Sequence, residues 1–330
     1  MSQLLSFITD KTLALLLPVI VYWVFSGFFY FVSELRVPFF EKYRNHTPEE
    51  EKAKNQVTVK EVITNVLIQQ FIQTLLGLIV VAAEGEEEVD YSFTPTKFLA
   101  DQYQKDCFHI LSLTSVCPSS PSSAYLLAVT SQIMTWVVLP FARFLVAMLV
   151  LDTIQYFLHR WFHTNTYLYR KFHSIHHRVY CPYAFGALYN HPLEGFLLDS
   201  LGTSVAFAAS GLSTRGAIVF FTFATIKTVD DHCGYSLPFD PLQRLFGNNS
   251  AYHDIHHQLY GLKNNYSQPF FTHWDRLLGT YVSPSEIKLK RSERKAEKNA
   301  NANTNASAHT TQRSATVING SLRKSNRVRI

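Results

Sequence analysis

Apolar positions in this chain gather into long stretches, separated by polar segments that carry most of the histidines. Residues 13–32 contain no charge and are numerous enough to cross a bilayer as a helix. Residues 62–83 form a second apolar stretch, interrupted by Gln69, Gln70 and Gln73, and residues 124–150 form a third, with Arg143 inside it. Residues 196–229 are longer, but "SGLSTRG" breaks them near the middle, so the pattern predicts a helical hairpin there. The expected fold is all-α: an integral membrane helical bundle with the histidine-rich segments as a helical cap.

Composition agrees, at 47% hydrophobic and 17% charged residues, which is apolar for a soluble domain of 330 residues. Residues 13–32 are too long for the apolar core of a signal peptide and lack a small-residue cleavage site, so they are expected to remain as an anchor. Charge then sets an orientation. The connection 34–61 carries six Lys/Arg, whereas 84–123 carries two and the acidic run "EGEEEVD". Positive-inside logic places the first connection in the cytosol and the second outside. The third span returns the chain to the cytosol just before His159, the hairpin leaves and re-enters on that face, and the C-terminus stays cytosolic. The expected organisation is a membrane anchor region at 1–123, a histidine-rich region with the third span and the hairpin at 124–285, and a disordered basic tail at 286–330.

From residue 288 onward there are eleven Lys/Arg against two Glu in a polar, low-aromatic sequence. Such a tail can touch anionic membrane lipids. Because the excess charge sits there and not on a folded surface, no nucleic-acid partner is expected. Cys107 and Cys117 share the outer loop and could pair, while Cys181 and Cys233 are expected as reduced thiols. The Asn-x-Ser matches at Asn248, Asn265, Asn305 and Asn319 fall on the cytosolic side and are expected to be unmodified.

Of fourteen histidines, eleven lie between His159 and His273. "HRWFH" sets His159 and His163 at i and i+4; "HSIHH" sets His173, His176 and His177 at i, i+3 and i+4; "HDIHH" repeats that with His253, His256 and His257. On a helix these spacings share one face, so several rings can converge. Protonated rings would repel one another, and buried neutral rings without partners would each cost about 1–3 kcal/mol. A bound cation removes both difficulties. A single zinc site needs three or four ligands, so eight box histidines, with His191 and His232 between them, suit two ions held close together. Imidazole suits zinc, copper, iron and nickel. No Glu-x-x-His, HExxH or deaminase-type PCxxC pattern occurs, so a dinuclear centre here must be rich in histidine. Asp152, Glu194, Asp230, Asp231 and Asp254 lie beside the boxes as candidate hydrogen-bond partners for the ligand rings. His273 reads as a packed or supporting histidine, and His46, His109 and His309 as bystanders.

HxxxH, HxxHH and HxxHH behind membrane spans resemble the fatty acid hydroxylase superfamily, which includes sterol desaturases and methylsterol oxidases. The segments "RVYCPYAFGALYNHPLEGFLLDSLG", "FATIKTVDDHCGYSLP" and "NNSAYHDIHHQLYGLKNNYSQPFFTHWDRLLGTY" resemble in particular the sphinganine C4-hydroxylases. The resemblance implies a non-haem centre of two iron ions that uses O2 to hydroxylate C4 of sphinganine, or of the dihydroceramide carrying it, giving the phytosphingosine form. It implies His159, His163, His173, His176, His177, His232, His253, His256 and His257 as ligands, with His191 added to the set. It also implies electrons from NAD(P)H through a reductase and cytochrome b5, and an endoplasmic reticulum membrane location. No fused b5 domain with its HPGG motif is visible, and no GxGxxG, so the donor is expected to be a separate protein. The alternatives are a sterol C-4 methyl oxidase or desaturase and, outside enzymes, a membrane metal-binding or transport protein. Transport calls for ionisable residues inside the spans; Arg143 and Lys227 are the notable ones there, while the histidines flank the spans, which disfavours transport.

Overall fold

The structure, a computed structural model, describes residues 9–84, 129–130, 132–287, 289–290 and 293. Cys107, Cys117, His109, His309 and the tail sequons lie outside them. Helix α1, Asp10–Glu34, is begun by Thr9, whose hydroxyl accepts from the Thr12 amide at 3.1 Å. After it comes a short helix, α2, Pro48–Lys54, with a capping box between Thr47 and Glu50. Helix α3, Val59–Glu84, starts on a similar exchange, Thr58 with Glu61. A π-helical turn, Met134–Val138, runs into α4, Leu139–Thr164. Together they make 31 residues of continuous helix, about 45 Å at 1.5 Å per residue. That exceeds a hydrocarbon core of about 30 Å, so the end bearing His159 and His163 can stand clear of the apolar layer.

The predicted hairpin is present. A π-helical turn, Phe196–Leu201, leads into α5, Gly202–Ser210. The chain then reverses through Gly211, whose φ of +63° is the left-handed conformation that ends helices. Ser213 caps α6, Thr214–Asp231, by accepting from the Gly216 amide at 3.1 Å. Helix α6 packs along α1, and α5 along α4, so the hairpin stitches the first span to the third.

Among the described residues, three helices are long and apolar enough to cross a membrane: Asp10–Glu34, Val59–Ala83 and Met134–Thr164. Their outward positions stay apolar and exposed, among them Val24, Phe31, Phe71, Ile79, Val137 and Phe141, as expected of faces meeting lipid tails. The glutamines that interrupt the second apolar stretch turn inward. Gln70 Oε1 accepts from Trp23 Nε1 at 2.7 Å, and Gln69 lies buried against Gly195, where a Cβ would sit 2.3 Å from its amide nitrogen.

One apolar core joins Tyr22, Phe29 and Val32 of α1 to Val62 and Val66 of α3 and to Phe185 and Tyr189. The other joins Ala147, Met148 and Leu151 of α4 to Ala206, Phe220 and Phe270. Among the described residues no strand occurs; a single bridge pairs Arg44 with Tyr235. It belongs to a seam that ties the α1–α3 connection to the histidine region. Asn45 N donates to Gly234 O at 2.9 Å, Ser236 N to Tyr43 O at 2.8 Å, and Gln56 N to Arg178 O at 2.9 Å. Met1–Tyr281 gathers into one unit and Val282–Ile330 into a second, in which Ser283 Oγ accepts from the Glu286 amide at 3.1 Å.

Candidate metal centre

Four pieces of the chain bring histidines to the same place. Helix α4 supplies His159 and His163 from its last turns. Asn165 ends that helix and caps the next short one, after which His173–Arg178 winds as a 3-10 turn. His232 occupies the C-cap of α6. Helix α7, Ser250–His257, is capped by Asn249, which accepts from the Tyr252 amide at 3.1 Å, and it carries the last box.

The rings divide into two groups in which the candidate ligand atoms lie within 4.8 Å of one another: His159, His163, His173, His177 and His256 in one, His176, His232, His253 and His257 in the other. Neither HxxHH box serves one group. His173 and His177 enter the five-histidine group while His176 enters the other; His253 and His257 enter the four-histidine group while His256 crosses back. On α7 the helical wheel accounts for this. At about 100° per residue, i and i+4 differ by some 40°, whereas i+3 and i+4 differ by about 100°. The 3-10 turn would by itself eclipse His173 and His176; there the split follows the tethers, Glu194 for His173 and the Tyr189 carbonyl for His176.

These tethers also fix which nitrogen faces inward. Nδ1 donates to a carbonyl in His159 (Tyr266 O, 2.8 Å), His176 (Tyr189 O, 3.2 Å), His232 (Thr228 O, 2.9 Å), His256 (Asn264 O, 2.8 Å) and His257 (Val179 O, 2.8 Å), and to the Glu194 carboxylate in His173. A neutral ring that donates from Nδ1 leaves Nε2 as a lone pair. Those lone pairs converge. Nε2–Nε2 separations are 2.7 Å for His163–His173, 3.1 Å for His159–His173 and 3.0 Å for His232–His253. Two nitrogens about 2.0–2.1 Å from one ion lie no more than about 4 Å apart, and these Nε2 pairs in both groups fall within that reach. His256 Nε2 is buried with no hydrogen-bond partner, as a ligand atom would be. Burial holds the rings neutral: it pulls His176 down to about 4, and His232 and His256 to about 3.

Nine of the ten histidines predicted as ligands therefore come together, and His191 does not. Its Nδ1 accepts from the Leu193 amide at 3.2 Å, capping the short helix Pro192–Gly195, and its ring packs edge-on against Phe172. His273 starts the turn His273–Leu277, outside both groups. Of the five neighbouring acids, Glu194 alone bonds a ligand ring. Asp152 accepts the Phe270 and Phe271 amides at 3.1 and 2.6 Å, Asp231 holds Lys227, Asp230 holds Gln243, and Asp254 holds His46.

His46 is thus no bystander. It is buried, and its Nε2 lies 2.5 Å from Asp254 on α7. Burial lowers its proton affinity, but the hydrogen bond and charge of Asp254 outweigh that and lift it to about 10. Asp275 was also missed. It accepts the Tyr266 and Ser267 amides at 3.0 and 2.7 Å and the Tyr252 hydroxyl, which positions the carbonyl that holds His159. Nothing in the histidine spacing marks either residue: the partner of His46 lies 208 positions away, and those of Asp275 are backbone amides and hydroxyls that the spacing of residue types does not reveal. Cys181 and Cys233 are buried free thiols, and Asn248 and Asn265 are fully buried.

A cavity of about 30 Å³ touches both groups. Its walls include His173, His176, His232 and His253 together with Glu194 and Asp199.

Residues 144–280, which hold every one of these histidines, match the fatty acid hydroxylase family. The chain is 44% identical to the sphingolipid C4-hydroxylase of Schizosaccharomyces pombe, over 88% of its own length and 94% of that protein. It is 44% identical to sphinganine C4-monooxygenase 2 of Arabidopsis thaliana, over 83% and 89%, and 41% identical to a very-long-chain aldehyde decarbonylase of Oryza sativa subsp. indica, over 86% and 93%. No solved structure matches. Three histidine boxes folded together beside the end of a membrane-length helix, the family match and identity over nearly the whole of these relatives lead to one conclusion: the chain belongs to the fatty acid hydroxylase family.

Proposed function

We propose that this protein is a di-iron sphinganine C4-hydroxylase, with the histidine groups as its two iron sites. One observation carries the reading: two adjacent all-histidine groups, sharing ligands from the same two boxes and opening on one polar cavity, in a chain 44% identical to proteins named for C4 hydroxylation of sphingoid lipids. His159, His163, His173, His177 and His256 would hold one ion and His176, His232, His253 and His257 the other. Two iron ions bound there would supply reductive activation of O2, one oxygen atom entering the C4–H bond and the other leaving as water, with two electrons and two protons taken up. The protein's own part is to hold the rings neutral by burial, to aim the Nε2 atoms of six of them through Nδ1–H donors, and to bring the lipid's polar end to the ions.

The electrons are assigned to NAD(P)H through a separate reductase and cytochrome b5, and the membrane to the endoplasmic reticulum with the histidines and C-terminus cytosolic. The connection 34–58 supports that side. It lies within the connection 34–61, which holds six Lys/Arg against two in 84–123, and it is bonded to the histidine cap through Asn45, His46, Asn55 and Gln56, which supports one membrane face for this loop and the ligands. In this reading 1–123 anchors, 124–285 catalyses and 286–330 is a basic tail.

The test is lipid profiling of cells lacking their own long-chain-base hydroxylase, with and without this chain. Appearance of 4-hydroxylated bases, lost in His176→Ala at equal protein level, is the expected result. Shortened hydrocarbons from aldehydes would favour the activity named for the rice relative, and altered 4-methylsterols the sterol alternative. Two irons per chain are expected in the purified protein.

A further inference from the structure

Besides unpartnered nitrogens of His177, His253 and His256, two carboxyl oxygens around the metal groups are buried without a partner, and both belong to residues of the cavity wall. Glu194 is fully buried; one of its oxygens takes the His173 Nδ1 proton, and the other, Oε2, has no partner. Asp199, one and a half turns further along, also lines the cavity, and its Oδ2 is buried and unpartnered. It lies in the π-helical turn Phe196–Leu201 at the start of the hairpin, and such turns are frequent at functional sites. An ionisable residue in an apolar hairpin marks a substrate or ion path by default. Two carboxyl oxygens buried without a hydrogen-bond partner are costly. Lys227, the buried cation of the neighbouring helix, is already held by Asp231 and Asn248 O. Asn190 and Gln155 stand beside them in the cavity wall, Leu198 and Pro269 add apolar surface, and at about 30 Å³ the cavity holds roughly two water-sized groups.

A site that hydroxylated the middle of an alkyl chain would need no such polarity. The proposed reaction is different. On a free long-chain base, C4 lies two bonds from the C3 hydroxyl oxygen and three from the C2 ammonium nitrogen, so these groups must accompany C4 to the ions.

We infer that Asp199, together with the free oxygen of Glu194, receives the substrate's ammonium group and makes the enzyme selective for the free base over its N-acyl form. This rests on the reading given under Proposed function. Loss of one charge-assisted hydrogen bond costs about 1.5–3 kcal/mol, a factor of roughly ten or more.

Membranes carrying the full-length protein and Asp199→Asn are assayed with sphinganine and with N-acyl sphinganine. The expected result is a KM for sphinganine raised about tenfold or more in Asp199→Asn, with unchanged metal content and a preference shifted toward the uncharged N-acyl substrate. An unchanged KM, or an equal loss on both substrates, overturns the inference. A second measurement needs no variant. On the wild type, a long-chain primary amine is expected to inhibit at about tenfold lower concentration than the alcohol of the same length, and Asp199→Glu is expected to keep that difference. Equal inhibition by amine and alcohol overturns the inference even if Asp199→Asn fails to accumulate. If wild-type membranes form no 4-hydroxylated base at all, the functional reading fails; if they do and amine and alcohol compete equally, only the present inference does.

Discussion

The five-histidine and four-histidine groups are built differently although both consist of imidazole alone. The first takes His159 and His163 from the end of a membrane-length helix, and His163 is partly exposed. The second takes His232 from the end of α6 and everything else from the cap, and all four rings are buried. One group is attached to a membrane-length helix and has five rings; the other is enclosed and has four. Each also borrows one ring from the box that chiefly serves the other, so the two sites cannot assemble independently.

Breaking that exchange should give the largest effect. His176→Ala leaves the enclosed group three ligands, and activity is expected to fall more than about 100-fold, beyond the 10–100-fold typical of outer partners, with loss of at least one metal ion per chain. His163→Ala leaves four ligands in the other group and is expected to keep both ions with a smaller loss. Metal analysis beside activity checks the pair, and equal damage from the two variants would refute the asymmetry. Acid should act on both groups in one direction. His176, His232 and His256 sit at about 4, 3 and 3 when folded, and the unfolded chain takes up protons first, near 6.5. Stability and metal retention should therefore fall as pH drops from about 6.5 toward 4, most steeply after chelation, which thermal unfolding in detergent would show.

Next in size is Glu194→Ala, expected to cost about 10–100-fold in metal affinity or activity. It frees the His173 ring in the five-histidine group and should leave the affinity of the four-histidine group nearly unchanged. Stepwise metal release measured against a chelator distinguishes the two, and uniform weakening of both would contradict the assignment.

Much of this was legible beforehand. Residue spacing showed the boxes, apolar run lengths showed three spans and a hairpin, and the ligand count called for two ions. What spacing could not show is the exchange of His176 and His256. Shared helical face is a coarse criterion, and the final aim of each ring depends on which distant carbonyl or carboxylate its Nδ1 reaches. The same limit hid His46 and Asp275. His46 meets Asp254 across 208 positions of sequence, a contact created by folding the first connection onto the cap. Conversely, Gln69 and Gln70 looked like defects in a membrane span, whereas they turn inward, Gln70 onto Trp23 and Gln69 against Gly195.

The pair of His46 and Asp254 acts on the four-histidine group through α7, and its effect should be on stability more than on chemistry. Asp254→Asn leaves a buried ring without its anion and is expected to lower stability by a few kcal/mol at neutral pH. The folded ring titrates at about 10 and the unfolded one near 6.5. The contribution is therefore complete below about pH 6.5 and lost as pH rises through about 10. The gap in melting temperature between wild type and Asp254→Asn should narrow over that interval; a constant gap would show that the pair carries no charge.

The smallest effect is expected at His191, the one candidate ligand that lies outside both groups. Its ring nitrogen caps the helix Pro192–Gly195, and an N-cap is worth about 0.5–2 kcal/mol. That helix holds Glu194, so His191→Ala should loosen the His173 tether slightly without removing a ligand. His191→Asn or His191→Asp, which restore a capping oxygen, should recover most of the loss, although Asn and Asp at this position cannot reproduce the contact with Phe172. A ligand would behave otherwise: His191→Ala would release an ion, and a capping residue would not bring it back. Metal content of His191→Ala and His191→Asn therefore decides whether His191 supports a short helix beside the five-histidine group or belongs to a metal site, and an ion lost from both variants would mean that the division into five and four is incomplete.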